Sequence, residues 1–143
     1  MTYALVFAAA LVVGSFLNVC ISRWPEDESV VTPRSHCRRC LEPIKWHDNV
    51  PVLSYLLLGR RCRACKAVIP LRYPLVELLT AGLALAVLAA GFEPRLAMVM
   101  FALGAALLVV TFIDIDHRII PDAITLPSIL IGPAAAFVLG HIS

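Results

Sequence analysis

Residues 2–21 read "TYALVFAAALVVGSFLNVCI", an uninterrupted stretch with no charged side chain. At 1.5 Å per residue a helix of this length crosses the ~30 Å hydrocarbon core of a bilayer. Three more runs of similar character follow, Tyr73 to Gly91, Leu96 to Ile113 and Ala123 to Gly140, and Glu77 is the one charged residue in all four. The chain has 143 residues, is 60% hydrophobic and has a mean hydropathy of +0.87. That is more apolar surface than a soluble domain of this size can bury, so a soluble globular class is excluded. The first run lacks a basic leading segment and continues past any small-residue cleavage site, so it reads as a retained helix and not a signal peptide. The expected architecture is an all-α polytopic membrane protein of about four transmembrane helices, with a polar loop between the first and second.

That loop, Ser22 to Arg72, carries ten of the twelve basic residues against five acids, leaving it at +5. By the positive-inside rule it lies in the cytoplasm. The N-terminus and the turn "GFEPR" (91–95) are then outside, and the third span runs back inward. It delivers "DIDHRIIPD" (114–122) to the cytoplasmic face, and the fourth span leads out again. Topology accounts for the basic excess, so no nucleic-acid partner is expected. No internal repeat or low-complexity segment stands out.

Four of the five cysteines fall in the loop as "CRRC", Cys37 and Cys40, and "CRAC", Cys62 and Cys65, with 21 residues between the pairs. A Cys-x-x-Cys turn aims both sulfurs at one centre, and two such turns complete the tetrahedron zinc prefers. In a reducing cytoplasm a disulfide pairing is the weaker reading. Arg38, Arg39, Arg61 and Arg63 offset the net −2 of a zinc tetrathiolate and favour thiolate over thiol. No ligand position stays open, so the metal is expected to be structural, stapling a loop too small and polar to fold alone. His36 and His47 are not needed as ligands, and Cys20, in the first span, reads as a small hydrophobe.

Two polar features lie within the spans. Gly14, Ser15 and Asn18 suggest close helix packing, with the Asn amide as an interhelical hydrogen bond. Glu77 is an acid in lipid, which is a functional hypothesis by default; its alternative is an ion pair with a loop arginine such as Arg72. At the end of the third span, Asp116, His117 and Arg118 read equally as a solvated interfacial turn or as part of a site, since charged groups cluster wherever a helix leaves lipid. Asp122 reads as an N-cap of the fourth helix, with Pro121 fixing the turn before it.

"GSFLNVCISRWP" (14–25), the paired Cys-x-x-Cys knuckles, "RYPLVELLT" (72–80) and "DIDHRIIPD" (114–122) occur in this order. Together they resemble the bacterial type IV prepilin peptidases over residues 14–128. The resemblance implies a membrane aspartyl endopeptidase of the bacterial inner membrane that cuts leaders from prepilins and type II secretion pseudopilins. It also implies N-methylation of the new N-terminus from S-adenosylmethionine. It places Asp114, in the pattern of Asp114, Arg118, Pro121 and Asp122, at the first catalytic aspartate. It associates the loop and the "RYPLVE" segment, with Glu77 and Asn18, with methylation or its structural support. The implied organisation is an N-terminal domain over residues 1–92, comprising helix 1, the four-cysteine zinc loop 22–72 and helix 2. The start of the peptidase domain would follow over 96–143. The family's second aspartate, in a Gly-x-Gly-Asp motif, has no match in this sequence; a fragment inactive on its own is the expectation, with a second chain supplying that aspartate as the alternative. Prepilins or pseudopilins and membrane lipids are the expected partners, the basic loop contacting anionic lipid headgroups or the acid that follows the cleavage site in many pilins, and not the basic leader. A membrane-anchored zinc module acting as a scaffold is the alternative. A small transporter using Glu77 and Asp114 is weaker, because no repeat relates the helices that carry them.

Overall fold

A computed structural model describes residues 1–118, together with Ile129 and Gly132. Apart from those two residues, the expected fourth span lies outside the described residues, as does Asp122. The described elements are α1 (Thr2–Arg23), a short helix α2 (Leu53–Leu57), α3 (Arg72–Ala89) and α4 (Pro94–His117), with 3-10 turns at Trp24–Glu26 and Trp46–Asn49. Among the described residues, α1, α3 and α4 are the helices long and apolar enough to cross a membrane. Among the described residues there is no strand beyond two isolated bridges, His36 to Pro43 and Arg61 to Val68.

α1 and α3 run antiparallel, and their register can be followed down the seam. Ala10 packs with Ala81 and Ala84 at one end; Gly14 sits on Glu77 and Thr80; at the other end the Asn18 Nδ2 donates to the Tyr73 carbonyl at 2.9 Å. α4 packs on both. Its Ala105, Val109 and Ile113 join Leu17, Cys20 and Ile21 of α1 and Val76 of α3 in one buried cluster. The small residues are needed because lipid supplies no hydrophobic drive for helix association, so contact depends on close approach. A Cβ at Gly14 would lie 2.6 Å from the Glu77 Cα, so only glycine permits this crossing. Outward-facing Leu5, Val12, Phe16, Leu78, Leu103 and Leu107 stay exposed, as lipid-facing positions should.

The α3–α4 turn follows from local chemistry. Gly91, at φ 67°, takes the left-handed conformation after α3. Pro94 opens α4, and the Glu93 carboxylate caps it, accepting from the Arg95 and Leu96 N–H groups at 3.0 and 3.4 Å. The hydrophobic run predicts the third helix only as far as Ile113. α4 instead continues to His117, where Arg118 (φ 55°) closes it by donating to the Asp114 carbonyl at 2.8 Å. Asp114 and Asp116 therefore lie in the last helical turn and not beyond it. Backbone hydrogen bonding carries a helix past the point where its side chains stop being apolar.

Candidate functional site

The end of the bundle where α1 stops and α3 starts holds the loop. Its two Cys-x-x-Cys turns are built alike, 25 positions apart. In one, the Cys37 N–H donates to the Glu42 carbonyl (3.0 Å), that of Leu41 to Cys37 (2.8 Å) and that of Ile44 to Ser35 (2.8 Å). In the other, Cys62 donates to Ala67 (2.8 Å), Lys66 to Cys62 (3.1 Å) and Ile69 to Arg60 (2.8 Å). Leu41 and Lys66 take matching left-handed conformations at φ 60° and 59°. A ten-residue repeat is thus present where the sequence shows none. It resides in the backbone pattern and in little more than the cysteines, one arginine and one isoleucine.

The repeat brings four sulfurs together. The Cys37 and Cys65 Sγ atoms are 3.8 Å apart, those of Cys40 and Cys62 are 4.0 Å apart, and all four lie within 4.8 Å of one another. A tetrahedral ion at ~2.3 Å from each sulfur sets the sulfurs ~3.8 Å apart, so the cage fits a zinc-sized metal. The charge logic agrees. The Cys40 N–H, and less strongly that of Arg39, draw the Cys37 thiol down to about 6. Cys40 accepts from the Glu42 N–H, yet desolvation and the neighbouring sulfurs of Cys65, Cys37 and Cys62 push it up to about 11. Four sulfurs this close cannot all be thiolates without a cation among them. His36 and His47 are outside the cluster.

Polar anchors fix the cage to the helices. Arg63 grips Asp48 in two hydrogen bonds of 2.7 and 2.6 Å, and this guanidinium holds the Asp48 carboxyl below the usual carboxylate range. Arg38 donates to the Ser22 carbonyl at the end of α1 and lies 3.6 Å from Glu26. Arg23 is buried at 6% exposure and donates to the carbonyls of Ser29 and Pro33, both at 2.7 Å.

The intramembrane acid does not pair with Arg72. Glu77, 7% exposed, accepts from the Val52 N–H through Oε2 at 2.7 Å. That contact holds Val52 at φ 58°, a conformation a β-branched residue rarely adopts. Arg72 turns the other way: it pairs with Asp116 of α4, donates to the Ser22 Oγ at 3.0 Å and lies over the Tyr73 ring at 5.3 Å. Asp116 is thus held by Arg72 on the last turn of α4 while staying exposed. Asp114, two positions away, is exposed and has no side-chain hydrogen bond or ion pair among the described residues. Asn18 is 2% exposed, with its Oδ1 unpartnered among the described residues. Sequence reasoning missed Val52, counted Arg23 only among the loop's positive charges, and offered Arg72 as one possible partner of Glu77, a pairing the structure does not form. For Arg72 a usable signal was helical phase, since Glu77 lies five positions on and not three or four.

Three membrane-length helices and a four-sulfur metal cage at one end define a class of membrane protein. The chain belongs to a known family within it, because residues 8–90 match the Bacterial Peptidase A24 N-terminal domain. It is 48% identical over 137 residues to a "Prepilin leader peptidase/N-methyltransferase" of Myxococcus xanthus (strain DK1622), covering 94% of this chain and 40% of that protein. A protein of the same name from Aeromonas hydrophila is 43% identical over 152 residues, covering 87% of this chain and 51% of the relative. The "Type 4 prepilin-like proteins leader peptide-processing enzyme" of Escherichia coli O78:H11 (strain H10407 / ETEC) is 40% identical over 148 residues, covering 89% and 54%. The chain spans about half the length of the curated relatives it matches. No solved structure matches it.

Proposed function

We propose that this chain supplies the metal-stapled, membrane-embedded part of a prepilin leader peptidase and N-methyltransferase. It would act on prepilins or pseudopilins at the cytoplasmic face of the bacterial inner membrane. The observation that carries the reading is Asp114: an exposed carboxylate on the last turn of a membrane-length helix, at the end of the bundle that holds the basic loop. A leader peptide is basic and its following helix apolar, so the bond between them lies where a span meets that loop. In an aspartyl dyad one carboxylate takes a proton from water while the other donates to the scissile carbonyl oxygen. Asp114 is assigned one of these roles. Asp116 is not assigned the other, because residues two apart on a helix face different ways and its charge is engaged by Arg72.

Cys37, Cys40, Cys62 and Cys65 would hold zinc, which when bound cross-links the two knuckles. Glu77 and Asn18 are assigned structural roles, supported by their bonds to Val52 and Tyr73. S-adenosylmethionine carries a sulfonium cation and a ribose diol, groups that carboxylates commonly receive. A cleft of about 810 Å³ between α1 and the loop is lined by Arg23, Arg34 and Lys45 and by no acid. Its cations would suit the cofactor's α-carboxylate, but its described lining residues offer no carboxylate for the sulfonium or the ribose diol, so no methyl-transfer step is assigned to these residues.

The test uses membranes from cells producing the intact gene product together with a prepilin. Asp114→Asn abolishes the mobility shift of leader removal, while Asp116→Asn retains it. Undiminished processing by Asp114→Asn overturns the assignment, and a gene product that never processes, whatever its aspartates, returns the scaffold reading.

A further inference from the structure

Val12, Phe16, Val19 and Arg23 follow one another at intervals of four, three and four residues, so they share one face of α1, and all four line the cleft. The stripe is apolar for its first three members, with Phe16 52% exposed, and ends in a buried guanidinium. From Val12 to Arg23 the rise is about 16 Å, close to one leaflet of a ~30 Å bilayer core. The opposite wall comes from the loop and includes Arg34 and Lys45.

Charge decides the occupant. Arg23 donates only to carbonyls, and among the described residues neither it nor Arg34 nor Lys45 has a carboxylate partner. A buried cation without a counter-charge is costly. Three cations therefore line the cleft, with no acid among its described lining residues, beside a lipid-facing apolar stripe that ends at Arg23. We infer that this cleft is a binding site for one anionic phospholipid, its acyl chain along Val12, Phe16 and Val19 and its phosphate among Arg23, Arg34 and Lys45. The inference needs the membrane placement of α1 and is independent of the peptidase assignment. A zwitterionic lipid such as phosphatidylcholine brings the same phosphate but a choline cation beside it, which three neighbouring cations disfavour. An apolar substrate helix covers the stripe and leaves the cations unmatched.

Trp46 lines the cleft and is 84% exposed, so it reports occupancy. The chain, in a Trp24→Phe background, is reconstituted in phosphatidylcholine vesicles containing increasing fractions of phosphatidylglycerol brominated near the headgroup. The matching series uses brominated phosphatidylcholine. Half-maximal quenching of Trp46 comes at a mole fraction of phosphatidylglycerol about tenfold below that of phosphatidylcholine, as expected for a few basic residues each contributing to anionic-lipid attraction. Arg34→Gln with Lys45→Gln brings the two fractions together while bound zinc is unchanged, which separates loss of the site from loss of the fold. Equal quenching by the two lipids in the parent overturns the proposal. So does a preference that survives the double substitution, since the general positive charge of the loop then explains it. Relief of quenching by an apolar helical peptide in pure brominated phosphatidylcholine, without any anionic-lipid preference, overturns it in favour of a protein occupant.

Discussion

Replacing Gly14 by alanine adds one methyl group where the structure has no room for it. The new Cβ would stand 2.6 Å from the Glu77 Cα and 3.2 Å from the Thr80 Cβ and Oγ1, and the nearest of these atoms is backbone and cannot rotate away. Carbon contacts settle at ~3.5–4.0 Å, so α1 and α3 must part by about 1 Å. The Asn18 to Tyr73 hydrogen bond, 2.9 Å in the native arrangement, is then stretched past its useful range. Overpacking of this kind costs ~1–3 kcal/mol, and an interhelical hydrogen bond in a membrane contributes ~0.6 kcal/mol. Alanine returns about 1 kcal/mol of helix propensity, leaving a net loss of ~1–2 kcal/mol. Two glycines calibrate the measurement. A Cβ at Gly82 meets nothing within 4 Å, so Gly82→Ala keeps the propensity gain and is neutral or stabilising. At Gly104 the Cβ meets the Leu83 side chain, Cδ2 at 2.6 Å, which can swing aside, so Gly104→Ala falls between. Equilibrium unfolding in mixed micelles titrated with a denaturing detergent gives the order directly. A Gly14→Ala variant as stable as Gly82→Ala refutes the close crossing.

Three further outcomes are expected. Changing Cys37 and Cys40 together to serine removes the bound zinc and makes the loop protease-sensitive, because structural zinc contributes on the order of 10 kcal/mol to folding such a unit; limited proteolysis with metal analysis checks this, and a metal-free loop equally resistant contradicts it. The Asp48 carboxyl is held down by Arg63, so its contact stabilises the loop above the unfolded carboxyl value of ~3.9 and is lost as pH falls through the lower folded value; Asp48→Asn removes that contribution, so acid titration should release zinc at a higher pH than in the parent. A cysteine probe placed at Phe92 reacts with an impermeant reagent from outside intact cells while probes at Arg60 and His117 do not, and the opposite pattern inverts the orientation.

The three described spans and the four-sulfur cage were legible in the sequence for the same reason: each rests on a pattern with one physical solution. Twenty uncharged apolar residues have few places to be other than a bilayer, and two Cys-x-x-Cys turns have one common centre. The carboxylate end was legible in part. Residue types marked Asp114, Asp116 and Arg72 as boundary residues, but charge alone did not say that Arg72 would choose Asp116 on another helix over Glu77 on its own. That choice is made by helix phase and by the antiparallel packing of α3 on α4. Val52 was invisible, because its part is played by a backbone N–H and any residue type carries one. Arg23 looked like one more positive-inside charge; only its burial against carbonyls sets it apart from its neighbours.

The opening of α3 explains why so many constraints meet in so short a stretch. In lipid, apolar side chains give little preference for one helix arrangement over another, so specificity must come from close approach and from polar contacts. Of the polar contacts here, Arg72 reaches Asp116 on α4 and Ser22 on α1, the Tyr73 carbonyl receives Asn18 of α1, and Glu77 receives the Val52 N–H just ahead of α2. Within six residues, each polar group binds a different residue, and together they join the two other described spans and the loop to α3. The loop re-enters the membrane at Arg72, seven residues after Cys65, so metal in the cage restricts the same segment that positions Asp116 and, half a turn away, Asp114. A structural metal can in this way bear on the placement of a carboxylate it never touches, because both are fastened to the first two turns of one helix.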